Sequence, residues 1–354
     1  MKKEVVALIE IGGSHDECLL TQFHALKSSS KLIAFVTTQE ILDRNPTFEK
    51  YIDHQFVLLK EELSDKFKAA IKIKKYLKKV NASKVVLNTA HGNIARNLAV
   101  ICLFNKMQFF GILHTTIKLE ESFTQKLISW KVRNYFLLSE FLCNKAQKIS
   151  KLNFDWFYPI RFDNQQKEKT SNTKTRIVVI GGVENRRKDL SGFVDMIEGI
   201  KQDVEFIFLG KSEAKNEEVI AFKEKLAKKG LEDKVKLYDS FVSNDEFATI
   251  VNACDAILPL VHPNTPSAKE YFNRQISGAM TVAFGYKKPL LIHDAYAHIH
   301  EMQIASVYYY PESFKEVLTE NEQLKVIELA MQQSIVLQVE TQEKRYLDFM
   351  EIKS

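Results

Sequence analysis

The sequence predicts an α/β protein built from two doubly wound, Rossmann-like parallel-sheet domains. Three observations carry this. The chain has 354 residues, more than a single hydrophobic core usually serves. Short apolar runs alternate with longer amphipathic stretches, the pattern of βα units. The alternation stops in a polar stretch at 162–175 and then restarts, so 163–175 reads as a linker.

In the first half, residues 5–11 predict a strand, since the run is too short for a secretory signal and is interrupted by Glu10. A helix near 17–28 follows, then strands at 31–37 and 56–59 and a helix at 60–80. Strands at 84–88 and 109–113 flank a helix at 93–105, and 135–138 leading into 140–148 closes the half. Past the linker, strands are expected at 176–180, 204–209, 234–238, 256–259 and 289–292. Helices are expected at 189–200, 216–229, 244–253 and 277–285. Residues 320–350 read as helical. The expected domains are therefore 1–162 and 176–320, with 321–354 a helical segment packing back on the first. Two such sheets on one linker are expected to face each other across a cleft at the carboxyl ends of their strands.

Composition excludes several classes. With 45% hydrophobic residues, 24 Phe and 12 Tyr, the chain buries enough surface to offset ordering entropy. Only 12 Gly and 7 Pro exclude a collagen-like chain. Cys18, Cys102, Cys143 and Cys254 stand far apart in no metal-binding spacing, which suits reduced thiols in a cytoplasmic protein. No run reaches the roughly 18 uncharged apolar residues of a membrane span. A net charge of +5 is modest, and without a recognition-helix, RRM or KH pattern no nucleic acid partner is expected.

The strand at 176–180 ends in Gly181 and Gly182, and Arg186, Arg187 and Lys188 precede the next helix. A glycine turn lets backbone approach a ligand, a helix start offers free amides, and guanidinium and ammonium groups share anionic oxygens. This suits a diphosphate, although neither a Walker A nor a full GxGxxG is present. Ser277 and Gly278, ahead of an apolar helix, are either a second anion site or a plain helix cap.

The string 176–182, the cations that follow, Phe206 to Gly210, Lys234 to Tyr238 with Phe241 and Val242, Asp255 to Pro259, and the segment from Ala283 through Pro289 resemble the donor half of GT-B glycosyltransferases, the group 1 family in particular. Phe136 to Glu140 and Ile112 to His114 are similar to that family's acceptor half. The resemblance implies a nucleotide-sugar donor whose diphosphate is held by Gly181, Gly182, Arg186 or Arg187, and Lys188. Backbone at Phe241 and Val242, with Pro259, would meet base and ribose. The family's retaining members carry Glu-x7-Glu before this turn; here Arg274 and Val282 stand at those places. Inverting and retaining chemistry therefore both stay open.

An inverting transfer needs a base for the acceptor hydroxyl. Residues at the ends of parallel strands supply the candidates: His15 and Asp16 after Gly12, Gly13 and Ser14, then His91, then His114. His262 is a further candidate near the donor, while His293, His298 and His300 follow the last strand. Residues 60–84 carry nine Lys against three acidic residues, with apolar side chains interleaved. That segment is either a solvated helix packed on the sheet or a contact with anionic lipid at the inner face of the cell membrane, and Phe123, Trp130, Lys131 and Arg133 form a second such stretch.

The expected activity is transfer of a sugar from a nucleotide-sugar to a carbohydrate or lipid-linked saccharide, in cell-surface polysaccharide assembly. No metal or cofactor is expected, as there is no Asp-x-Asp pattern. The alternatives are an epimerase or phosphorylase of the same fold, or a non-catalytic protein that binds sugar-nucleotides or a lipid surface.

Overall fold

The computed structural model describes residues 3–13, 15–163, 165, 174–319 and 321–352. Most of the expected linker, Ser14 and Glu320 lie outside the described residues. The chain divides into two compact units, Met1–Pro159 with Val339–Ser354, and Ile160–Gln338. Each is built on one parallel sheet between helices, the doubly wound α/β class that the sequence predicts.

The first unit has seven strands: β1 (Val5–Ile9), β2 (Leu32–Thr38), β3 (His54–Leu58), β4 (Ala82–Leu87), β5 (Gln108–Leu113), β6 (Asn134–Leu137) and β7 (Asn153–Trp156). Their order is β3-β2-β1-β4-β5-β6-β7. β1 pairs with β2 on one side and β4 on the other and is buried throughout. A strand covered on both faces needs a continuous apolar run, which is what residues 5–9 supply. The strand order reverses between β1 and β4, so loops leaving their carboxyl ends diverge and open a crevice.

Two expectations for this unit change. The helix expected at 60–80 runs only over Lys66–Lys79, because Asp65 accepts hydrogen bonds from the amides of Phe67 and Lys68 and so fixes the start. That helix buries Ala69, Ala70, Ile73 and Leu77, and its lysines lie outside the buried stripe. The helical region at 320–350 is two helices in different units. Asn321–Gln333 belongs to the second unit, whereas Val339–Phe349 packs on the Leu19–Ser28 helix of the first. There the Tyr346 hydroxyl donates to Gln22 at 3.1 Å, and the Arg345 guanidinium lies 4.0 Å from the Trp156 ring centre while bonding Asp155.

The second unit has six strands: β8 (Thr175–Ile180), β9 (Val204–Lys211), β10 (Val235–Tyr238), β11 (Ala256–Ile257), β12 (Leu290–His293) and β13 (Ser306–Tyr309), ordered β10-β9-β8-β11-β12-β13. The reversal here falls between β8 and β11. On one face Phe193 is fully buried, with its ring centre 5.1, 5.5 and 6.1 Å from those of Phe206, Phe208 and Phe222. Phe193 belongs to the helix Leu190–Ile197, which ends before Gly199, a residue with φ of 74°.

Removing that ring leaves a cavity with nothing to collapse into it. Phe193→Ala is expected to lower the stability of the second unit by about 3–5 kcal/mol in urea unfolding; a loss under 1 kcal/mol would show that the ring cluster is not what holds this face.

Candidate functional site

At the carboxyl end of β8 the glycine pair has two separate causes. Gly181 has φ of 86°, a conformation costly for any side chain. Gly182 is required by packing, because a Cβ there would lie 2.0 Å from the Lys211 carbonyl oxygen, and a Cβ at Gly210 would lie 2.4 Å from the Gly182 nitrogen. Part of the glycine signal thus reflects two strand ends pressed together. Arg186 and Arg187 both reach the carboxylate of Glu184, at 3.0 and 3.4 Å, with their side chains more than half exposed.

Lys188 differs from them. It is 6% exposed, and its ammonium sits 3.2 Å from where a Gly181 Cβ would be. Among the described residues no hydrogen-bond or ion-pair partner meets that ammonium. Burial pushes its pKa down to about 8, with Glu184 acting in the opposite sense and Arg187 adding to the fall. A buried cation without a partner is costly.

The start of the next helix does not offer the free positive end that the sequence suggested. Asp189 caps it, accepting from the Gly192 amide at 2.8 Å, so a carboxylate already occupies the dipole. The same carboxylate accepts from His262 Nδ1 at 2.8 Å, the main reason its pKa lies below the usual range. His262 Nε2 in turn lies 2.7 Å from the Tyr309 hydroxyl. With Nδ1–H committed to the carboxylate, a neutral ring accepts the Tyr309 proton at Nε2. Both ring nitrogens are therefore occupied, and His262 ties the end of β11 to β13 instead of presenting itself to a ligand.

The other candidates of this unit spread along the same edge. Ser277 caps the buried helix Gly278–Tyr286, its hydroxyl accepting from Ala279, while Gly278 is exposed. Phe241, in the loop after β10, is 67% exposed; Val242 and Pro259 are buried.

In the first unit the strand ends bring three histidines together. The rings of His15 and His114 stack with centres 3.6 Å apart and planes 16° from parallel. His114 Nε2 lies 2.9 Å from the Asn88 carbonyl oxygen, so it donates there and the lone pair stays on Nδ1. Burial, then the charge His15 would carry, pushes the His114 pKa down to about 3. His91, ahead of the Gly92–Ile101 helix, is lowered by burial and, less strongly, by Lys118 and His15. Asp16 is placed otherwise, its carboxylate accepting from Asn45 at 2.6 Å and pairing with Arg44 at 3.4 Å.

Beneath the histidines lies a group that sequence reasoning passed over. Glu10, the residue after β1, is 1% exposed and accepts from Thr89 Oγ1, Asn88 Nδ2 and the Gly12 amide at 2.6, 2.7 and 2.6 Å. Burial raises its pKa and those three bonds oppose the rise. The same Asn88 amide reaches the His15 carbonyl at 2.7 Å. Glu10 and Asn88 together fix the loop that carries His15. The available signal was a single carboxylate ending an apolar strand.

Beside this network a pocket of about 280 Å³ opens at the β1/β4 reversal. It is lined by Ile9, Ile11, Leu87, Ile94 and Leu98 together with Lys66, Thr89 and His91. Among the described residues no group of three or more His, Cys, Asp or Glu is placed to hold a metal ion, and no helix is long and apolar enough to cross a membrane.

Two Rossmann-like parallel sheets in one chain are the architecture of the GT-B class of fold. Solved structures bear this out over nearly the whole length. A glycosyltransferase from Rickettsia africae matches at a TM-score of 0.68 and 12% identity over 99% of both chains. Anabaena HepE in complex with UDP matches at 0.72 and 12%, over 98% of this chain and 99% of that one. A UDP-N-acetylglucosamine 2-epimerase matches at 0.65 and 13%, over 99% and 96%. At these identities the likeness establishes the fold. No protein-family model matches the sequence, and no curated protein does.

The acid response of the first unit follows from His114. The folded ring takes a proton only near pH 3, whereas the unfolded ring does so near 6.5, so between these values the unfolded chain binds the extra proton and acid destabilises the fold. His114→Gln is expected to reduce the stability lost between pH 7 and pH 4.5 by on the order of 2 kcal/mol. Denaturant titrations at both pH values check this, and an unchanged difference would mean that His114 is accessible to protons in the fold.

Proposed function

We propose that the chain is a glycosyltransferase that takes a sugar from a nucleotide-sugar bound by its second unit and passes it to a saccharide or lipid-linked acceptor bound by its first. The observation that carries the donor assignment is Lys188, whose ammonium is held over the Gly181 turn at the β8/β11 reversal and meets no hydrogen-bond or ion-pair partner among the described residues. A diphosphate supplies an anionic partner. The solved complexes of HepE with UDP and with UDP-glucose are of the same fold and support the choice of ligand class. Arg186 and Arg187, exposed on Glu184 in the same loop, are further cations for that diphosphate, and the Gly181 and Gly182 backbone lets it approach. Ser277 and Gly278 offer a second contact for the phosphates. Phe241 presents an open aromatic face for the base, with backbone at Val242 next to it in sequence and Pro259, after β11, as a further contact for the donor.

The reaction requires the acceptor oxygen to bond the anomeric carbon as the bond to the diphosphate breaks, the nucleoside diphosphate leaving and the hydroxyl proton passing to a base. A histidine of the first unit fills that role. His15 and His91 are the candidate acceptors of the proton, while His114, whose burial opposes protonation, holds the His15 ring by stacking on it. Asp16, held by Arg44 and Asn45, acts by positioning the loop. With Arg274 and Val282 where the resemblance would place carboxylates, a single displacement assisted by such a base is the chemistry these residues suit. Charge on the leaving diphosphate is met by Lys188, Arg186 and Arg187, without a metal.

Exposed Phe67, Phe123 and Trp130 among the lysines of the first unit support contact with anionic lipid and a place in cell-surface polysaccharide assembly at the cytoplasmic face of the membrane. The second reading is a nucleotide-sugar epimerase, favoured by the match to a UDP-N-acetylglucosamine 2-epimerase.

Thermal stabilisation by UDP-, GDP- and dTDP-sugars, followed by product analysis, tests these readings. Stabilisation with transfer to an acceptor extract supports the transferase; interconversion of the free donor supports the epimerase; no stabilisation by any nucleotide overturns both. Lys188→Ala is expected to weaken nucleoside diphosphate binding by about 1–3 kcal/mol. In the unsubstituted protein that affinity is expected to fall as pH rises through about 8, where free Lys188 loses its proton. Calorimetry reads both effects, and unchanged affinity in the variant removes Lys188 from the site.

A further inference from the structure

The pocket at the β1/β4 reversal adds a statement about the acceptor, resting on the reading of the first unit as the acceptor-binding one. Its lining is mostly aliphatic. Ile9 and Leu87 are the last residues of their strands, and Ala95 and Leu98 line it from one face of the Gly92–Ile101 helix. Ile11, Leu63 and Ile94 complete the apolar lining. Polar groups, namely Thr89, His91, Asn93 and Lys66, accompany that lining, and the Lys66 ammonium also bonds the Leu63 carbonyl. Glu10, a buried carboxylate outside that lining, accepts from the Gly12 amide, Asn88 and Thr89.

Such a lining selects its occupant by desolvation. A sugar ring carries hydroxyls around its edge, and seating them against Ile9, Leu87 and Leu98 would leave them without hydrogen bonds. An alkyl or isoprenoid group loses nothing there and gains contacts that an empty pocket lacks. The volume, about 280 Å³, is enough for a short apolar chain. His91 belongs both to this pocket and to the histidine group at the strand ends, so a ligand with its apolar part inside carries its head to the proposed base.

We infer that the acceptor is an amphiphile: a saccharide joined directly to an aliphatic or isoprenoid group, with that group seated among Ile9, Leu87, Ala95 and Leu98 and the sugar held by His91 and Thr89.

The probe is a series of n-alkyl β-glucosides from methyl to octyl, each below its critical micelle concentration, titrated into the full-length protein carrying ¹³C-labelled isoleucine methyls. Affinity is expected to rise about fourfold per methylene until the pocket is full and then to level off. The largest methyl shifts are expected at Ile9, Ile11 and Ile94. Ala95→Phe is expected to shorten the chain length at which affinity levels off, and Ile11→Trp, at a half-buried residue of the lining, does the same if Ala95→Phe does not fold. Equal affinity for methyl and octyl glucosides, or shifts confined to isoleucines elsewhere, overturns the inference. Donor binding is read on the same sample with UDP-glucose. A chain-length effect without a nucleotide effect removes the transferase reading and keeps the pocket; a nucleotide effect without a chain-length effect removes the pocket alone.

Discussion

Parallel pairing is the constraint on which the molecule depends. Every strand of both sheets runs the same way as its neighbours, so the chain reverses only by crossing over through helices, and every loop that follows a strand leaves from one edge. The histidines, Glu10 and the pocket collect at that edge in the first unit, and the Gly181 turn, Lys188 and Phe241 collect there in the second. Nothing in the local sequence of His15 and His114, about a hundred residues apart, asks them to stack. The sheet order does, because β1 and β5 each lie beside β4 and end on the same side.

Each unit buries one charge close to its strand reversal, and the two are treated differently. Glu10 receives three hydrogen bonds, and its charge stays at home, fastening the loop that carries His15 to the end of β4. Lys188 receives none among the described residues, although it is buried nearly as deeply. A satisfied buried charge is architecture; an unsatisfied one is a cost that a ligand can remove. The same distinction sorts the other candidates. Asp189 and His262 satisfy one another and Tyr309, and Arg186 and Arg187 lean on Glu184 in solvent, where such pairs contribute little.

Much of the fold was legible because buried strands have no choice of composition. β1, β8 and β9 are dominated by Val, Ile, Leu and Phe. The four-residue strands β7 and β13 were not legible, since Asn153–Trp156 mixes polar and aromatic residues and Ser306–Tyr309 follows irregular turns. Helix caps act for a reason visible only in three dimensions. Asp65 caps a helix that the sequence pattern would have begun at residue 60, and Asp189, capping the helix expected at that place, closed the anion site that its own helix end suggested. The site residues were legible as residue types at strand ends. Their division into a stacked pair, a pocket lining and a diverted Asp16 was not, because it depends on Asn45, Arg44 and Asn88, which the sequence does not mark out.

The helix Val339–Phe349 closes the first unit from the far end of the chain. During synthesis the sheet of that unit emerges early, yet the surface of Leu19–Ser28 that Tyr346 and Leu347 cover waits until all of the second unit has been made. The first unit is therefore begun first and finished last, its completion limited by contacts some three hundred residues apart in sequence. Until then the nascent chain carries an uncovered apolar flank, and an early stop after 338 would leave that flank open permanently while the second unit still had all its residues.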